Sequence, residues 1–161
     1  MNKIEALQLQ QDNHDKTYHV DIYLQSPIFK IKHFALHYSK YLSKIILNEN
    51  VKKVILDTFL ITLAFSNTLN IKLEDVDFNL HSQRITYNFN LITEYANSVL
   101  ILSKALDAYD HIENHDIRKQ LELACCNFYS LVLNYIAENC WNDFETDLLW
   151  QYQNIRNKRI S

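Results

Sequence analysis

A chain of 161 residues, 48% hydrophobic and 22% charged, has the balance of one ordinary globular domain and can bury a core without disulfides. It has no glycine and one proline, Pro27, which excludes glycine-dependent phosphate loops and argues against many-stranded sheets with their tight turns, leaving an all-α fold. Sixteen Lys+Arg against nineteen Asp+Glu give a net charge of −3, so non-specific nucleic-acid binding is not expected.

Residues 1–25 read as an N-terminal arm. Ile4 and Leu7 lie at helical spacing and begin a short helix, whereas Tyr18, Val20, Ile22 and Leu24 alternate and predict an extended segment. The opening stretch has no apolar run of the secretory type. No segment approaches the ~20 apolar residues of a membrane span. Three cysteines, Cys125, Cys126 and Cys140, lack CxxC spacing. Together these features predict a cytoplasmic protein with reduced thiols and no membrane partner.

Ser26 followed by Pro27 is a helix start, and residues 26–71 read as a first helical hairpin. Its first helix carries an apolar stripe of Ile28, Ile31, Ala35, Tyr38, Leu42 and Ile45, and stops at Asn48-Glu49-Asn50. Its second carries Val54, Ile55, Phe59, Leu63 and Leu69 and stops at Asn70. Asparagine tolerates the left-handed conformation that ends helices. Residues 72–89 are a polar connection, and residues 90–140 a second hairpin with Leu121, Ala124, Phe128, Leu131, Val132 and Tyr135 facing inward. Residues 141–161 form a C-terminal helix and tail with Phe144, Leu148, Tyr152 and Ile155 inward. The predicted fold is an antiparallel bundle of four main helices plus this C-terminal helix. Leu42-Ser43-Lys44-Ile45 echoes Leu102-Ser103-Lys104-Ala105. The echo fits an internal duplication of the hairpin; it also fits two amphipathic hairpins that look alike.

The stretches His37–Leu47 and Val54–Ile71 resemble the first two helices of the MazG-like all-α nucleoside triphosphate pyrophosphohydrolases. The resemblance implies Mg²⁺-dependent cleavage of the α–β bond of a nucleotide, with ExxE and ExxD carboxylates on facing helices holding the metal. The ExxE positions here are Tyr38 and Tyr41, and the ExxD positions are Val54 and Asp57. In the second hairpin they are Ser98, Ile101, Ala124 and Asn127. Asp57 is the single matched carboxylate, hence the candidate catalytic and metal-binding residue. The expectation is weak or lost Mg²⁺-dependent hydrolysis on a retained fold. The alternative is a non-catalytic module binding nucleotides or proteins, and the resemblance also implies a homodimer or internal pseudo-dimer.

Other constellations compete for a metal. Asp107, Asp110 and Glu113 recur every three residues and read either as a solvated, negatively charged helix end or as an acidic metal face with Glu122 on the next helix as a helper. His33 and His37 are four apart, as are His111 and His115, the spacing of a two-histidine metal clip. Arg156, Lys158 and Arg159 form a small basic tail that reads as solvated. Ten tyrosines supply amphipathic surface suited to interfaces or to stacking on a base.

Overall fold

The computed structural model describes residues 3–73, 89–112 and 116–160. Among these residues seven helices follow in order: α1 (Lys3–Tyr18), α2 (Val20–Tyr23), α3 (Pro27–Ile46), α4 (Val51–Leu69), α5 (Leu91–Asp110), α6 (Ile117–Glu138) and α7 (Phe144–Ile160). Among the described residues there is no strand. No described helix is long and apolar enough to cross a membrane. The all-α bundle expected from the glycine-free composition is therefore present. Most of the connection at 72–89 lies outside the described residues.

Helix starts follow local chemistry. The Phe29 N–H donates to Ser26 Oγ with Pro27 in the first turn, the Thr93 N–H to Asn90 Oδ1, and the Lys119 N–H to Asp116 Oδ1. Asn48, Asn50 and Asn70 adopt φ of 55°, 45° and 55°, as expected for stops made without glycine. Ile112 also sits at φ 55° while 92% exposed. A β-branched residue there carries roughly 1–2 kcal/mol of backbone strain and offers no packing in return. Ile112→Asn is expected to stabilise the fold by about 1 kcal/mol, raising the thermal midpoint by roughly 2–4 °C. An unchanged or lower midpoint in calorimetry would show that no strain is stored there.

Helix α4 is the hub. It packs against α1, α3, α6 and α7, and it is buried nearly all round, from Val54 to Leu69. Helix α5 packs against α3 and α6 and closes the bundle. The centre is aromatic. Tyr38 and Phe128, both fully buried, stack with ring centroids 3.7 Å apart and planes 5° apart. Tyr95 meets Phe128 edge-on at 5.4 Å, and Phe65 lies beside Tyr38 and Phe34.

The arm at 1–25 corrects the expectation of an extended segment. Tyr18 ends α1, and Val20 and Ile22 lie in α2. The alternation has no sheet to face, and Val20 and Leu24 point to solvent, 46% and 77% exposed. Helix α1 is held by a buried amide. Gln8 Nε2 donates to Ser66 Oγ and to the Ile71 carbonyl, both at 2.8 Å, and Asn67 Nδ2 donates back to the Gln8 carbonyl. The tyrosines depart from their expected role as well. Tyr38, Tyr41, Tyr95, Tyr129 and Tyr152 are core residues, so half of the ten are spent inside the chain. Of the thiols, Cys125 is buried, Cys126 half-buried and Cys140 exposed, all unpaired. Burial pushes Cys125 and Cys126 above the ordinary thiol range and makes them poor nucleophiles.

Candidate functional site

Asp57 stands one turn after Lys53 on α4, and its side chain is 16% exposed. Lys53 Nζ donates to Oδ2 at 2.7 Å, and Gln151 Nε2 from α7 donates to Oδ1 at 2.5 Å. Both oxygens are thus engaged by the protein, one of them in an ion pair. The other positions matched to metal-binding acids fill the interior. Tyr38, Tyr41, Val54, Ser98 and Ala124 are buried. Ile101 and Asn127 are half-buried. A hydroxyl ladder starts from one of these positions: Tyr38 Oη donates to Thr62 Oγ1 (3.0 Å), which donates to the Thr58 carbonyl (2.8 Å), and Thr58 Oγ1 bonds Tyr95 Oη (2.9 Å). Burial raises both phenols far above their ordinary range, so they stay neutral.

Asp107 and Asp110 lie elsewhere. Asp110 pairs with Lys32 of α3 at 2.7 Å, and Asp107 lies 3.5 Å from His111 Nε2, with all four side chains largely exposed. Asp107 lines a separate cleft beside Lys104 and Asp116. Glu122 is held by Arg118. Glu113 and His115 lie outside the described residues. Among the described residues, no group of three metal-ligating side chains includes Asp57, Asp107 or Asp110.

Two clefts flank Asp57, and each also touches Tyr41 and Ile155. The first, about 640 Å³, opens between the start of α4 and α7. Lys52, Lys53 and Lys158 line it together with Trp141 and Trp150. Trp150 is 60% exposed. Lys52 Nζ lies 5.1 Å above the Trp141 ring, whose Nε1 donates to Asp147 Oδ2 at 2.8 Å. Gln151, buried in the same wall, keeps its Oε1 without a hydrogen-bond partner. Lys158, read from the sequence as part of a solvated tail, therefore borders a cleft.

The second cleft, about 290 Å³, is walled by α1, the turn into α2, and the facing sides of α3 and α4. His14, Asp15 and His19 converge there, with one ligating atom from each lying within 4.8 Å of the others. His33 lines the same cleft. His33 and His37, a two-histidine clip by spacing, touch each other instead, with Nε2 atoms 3.1 Å apart. The Lys40 ammonium, a donor only, lies 3.2 Å from His37 Nδ1. That nitrogen accepts, so Nε2 of His37 carries the proton and donates it to His33. Burial and the Lys40 charge lower the His37 pKa to about 4, and burial lowers His33 as well. The cluster of His14, Asp15 and His19 has no counterpart in the sequence reading. Its spacing spans a helix end, and only the unbroken run of α1 to Tyr18 brings the three together.

No protein-family model, curated protein or solved structure matches the chain.

Proposed function

We propose that this chain is a nucleotide-binding helical module, built on a bundle of the MazG-like pyrophosphohydrolase kind, in which Mg²⁺-dependent hydrolysis is weak or lost. The observation that carries this reading is the cleft beside Asp57. Its volume of about 640 Å³ suits a nucleotide-sized ligand, its lysines suit phosphates, and Trp150 offers an open face for a base. Of the two carboxylates that line it, Asp57 is paired with Lys53 and Asp147 accepts from Trp141 Nε1, whereas a Mg²⁺ site of this type calls for several free oxygen ligands. The unpaired thiols suit a cytoplasmic setting. The two hairpins, α3–α4 and α5–α6, form an internal pseudo-dimer in this reading. A homodimer is its counterpart, joined on exposed Phe29 and Leu36 of α3, and light scattering distinguishes the two.

The test is a titration with a non-hydrolysable nucleoside triphosphate, read by tryptophan fluorescence with and without Mg²⁺. Saturable binding is expected without a metal requirement. Trp150→Ala should weaken it by about tenfold, because one base–aromatic stack contributes roughly 1–3 kcal/mol. Lys52→Ala should weaken it most at low salt. Pyrophosphate release from hydrolysable triphosphates should stay near background. Mg²⁺-dependent turnover abolished by Asp57→Asn would identify an enzyme instead. Absence of any nucleotide binding would leave the reading as a protein-interaction module.

A further inference from the structure

We propose that the end of α1 and the turn into α2 hold one divalent transition cation of the zinc class, bound through His14, Asp15 and His19. Two imidazoles and one carboxylate make a mixed nitrogen and oxygen donor set, the kind that zinc and its neighbours take with a fourth position left for water or a further ligand. Mg²⁺ and Ca²⁺ prefer all-oxygen sites and are poor matches.

The geometry is close to assembled. Asp15 and His19 are four residues apart on a continuing helical turn, since the His19 N–H donates to the Asp15 carbonyl at 3.0 Å. His14 lies alongside, its ring centroid 5.5 Å from that of His19. The three ligating atoms, within 4.8 Å of one another, need only small side-chain rotations to surround one ion at bonding distance.

An independent observation points to a ligand. The His14 side chain is only 8% exposed, it lines the cleft, and neither ring nitrogen has a hydrogen-bond partner, Nδ1 standing 3.7 Å from Asp15 Oδ1. A buried imidazole with both nitrogens unsatisfied costs free energy that a metal bond would recover. The carboxylate is already oriented from behind. Gln11 Nε2 donates to Asp15 Oδ1 at 2.8 Å, and Tyr152 Oη of α7 donates to Gln11 Oε1 at 2.8 Å. Both supporting residues are buried. Such a chain behind a ligand is what holds metal sites in register. The nearby His33–His37 pair is the weaker candidate, because its nitrogens are spent on each other and the Lys40 ammonium sits against it.

The experiment is a Zn²⁺ titration of the full chain by calorimetry, alongside the visible spectrum of the Co²⁺-loaded protein and its thermal midpoint. One Zn²⁺ per chain is expected, with a raised midpoint. The Co²⁺ spectrum should show mixed nitrogen and oxygen coordination, and Mg²⁺ should give no heat. His19→Gln and Asp15→Asn should each weaken Zn²⁺ by at least about tenfold, and Tyr152→Phe, which only loosens Gln11, by less. His14→Gln should do the same, provided its helical circular dichroism is intact; His19→Gln decides the matter if it is not. Absence of zinc binding by the parent chain would overturn the proposal. So would binding that survives His19→Gln and Asp15→Asn but is lost in His37→Gln. Neither outcome bears on the nucleotide reading, which concerns the other cleft and is read by a different ligand.

Discussion

Phe128→Ala should cost about 3–5 kcal/mol of folding stability, the upper range for an aromatic truncated in a packed core. Phe128 is fully buried, lies flat against Tyr38 and receives the edge of Tyr95, so its removal opens a cavity at the crossing of α3, α5 and α6. The rings around it cannot easily collapse inward. Tyr38 and Tyr95 are tied by their hydroxyls to Thr62 and Thr58 of α4. A domain of this size typically has a margin of about 5–15 kcal/mol, so the variant should be close to unfolding at ambient temperature. Phe128→Leu, which keeps most of the volume, should cost roughly half as much. Urea denaturation with an unchanged slope checks both. A loss below about 1 kcal/mol for Phe128→Ala would mean that the aromatic stack is not the centre of the core.

The second large effect is on pH dependence. His37 titrates near 4 in the folded chain, against an ordinary histidine value of 6.5, because burial, Lys40, His33 and His19 all oppose its charge. Between those values the unfolded chain binds a proton that the folded chain refuses. Stability is therefore fully present above about pH 6.5, falls as pH drops toward 4, and levels off below. Because the side chain is only partly buried, screening reduces the contribution to about 1–2 kcal/mol. His37→Gln keeps a polar group there without the titration and should flatten the curve by that amount. Identical pH profiles for parent and variant would refute the assignment.

The sequence made the helices legible because their apolar residues recur at three and four, and their stops were legible because asparagine takes positive φ where no glycine is present. Tyr18 to Leu24 misled, because alternation signals a strand only where a sheet exists to receive one face. The candidate site was legible only in part. Asp57 stands out as the one matched acid, but its occupation by Gln151 depends on where α7 docks, 94 positions later. Likewise seven of the eight compared positions visibly lack a carboxylate, whereas the Tyr–Thr ladder that starts from one of them, Tyr38, needs three helices at once. Pairs of histidines at i, i+4 drew attention to His33 and His37. The burial of His14 and its convergence with His19 follow from tertiary packing of α1.

The hydrogen bond from Tyr152 to Gln11 joins positions 141 residues apart, whereas α3–α4 and α5–α6 close over short stretches of chain. Local hairpins gain contacts early, and distant segments bear the loop-closure entropy before they are rewarded. The wall containing His14 and Asp15 is thus expected to be the last part of the bundle to assemble and the first to open. Amide protons of α1 should exchange faster than those of α4 in the native state, and a cation seated between His14 and His19 would slow that local opening selectively.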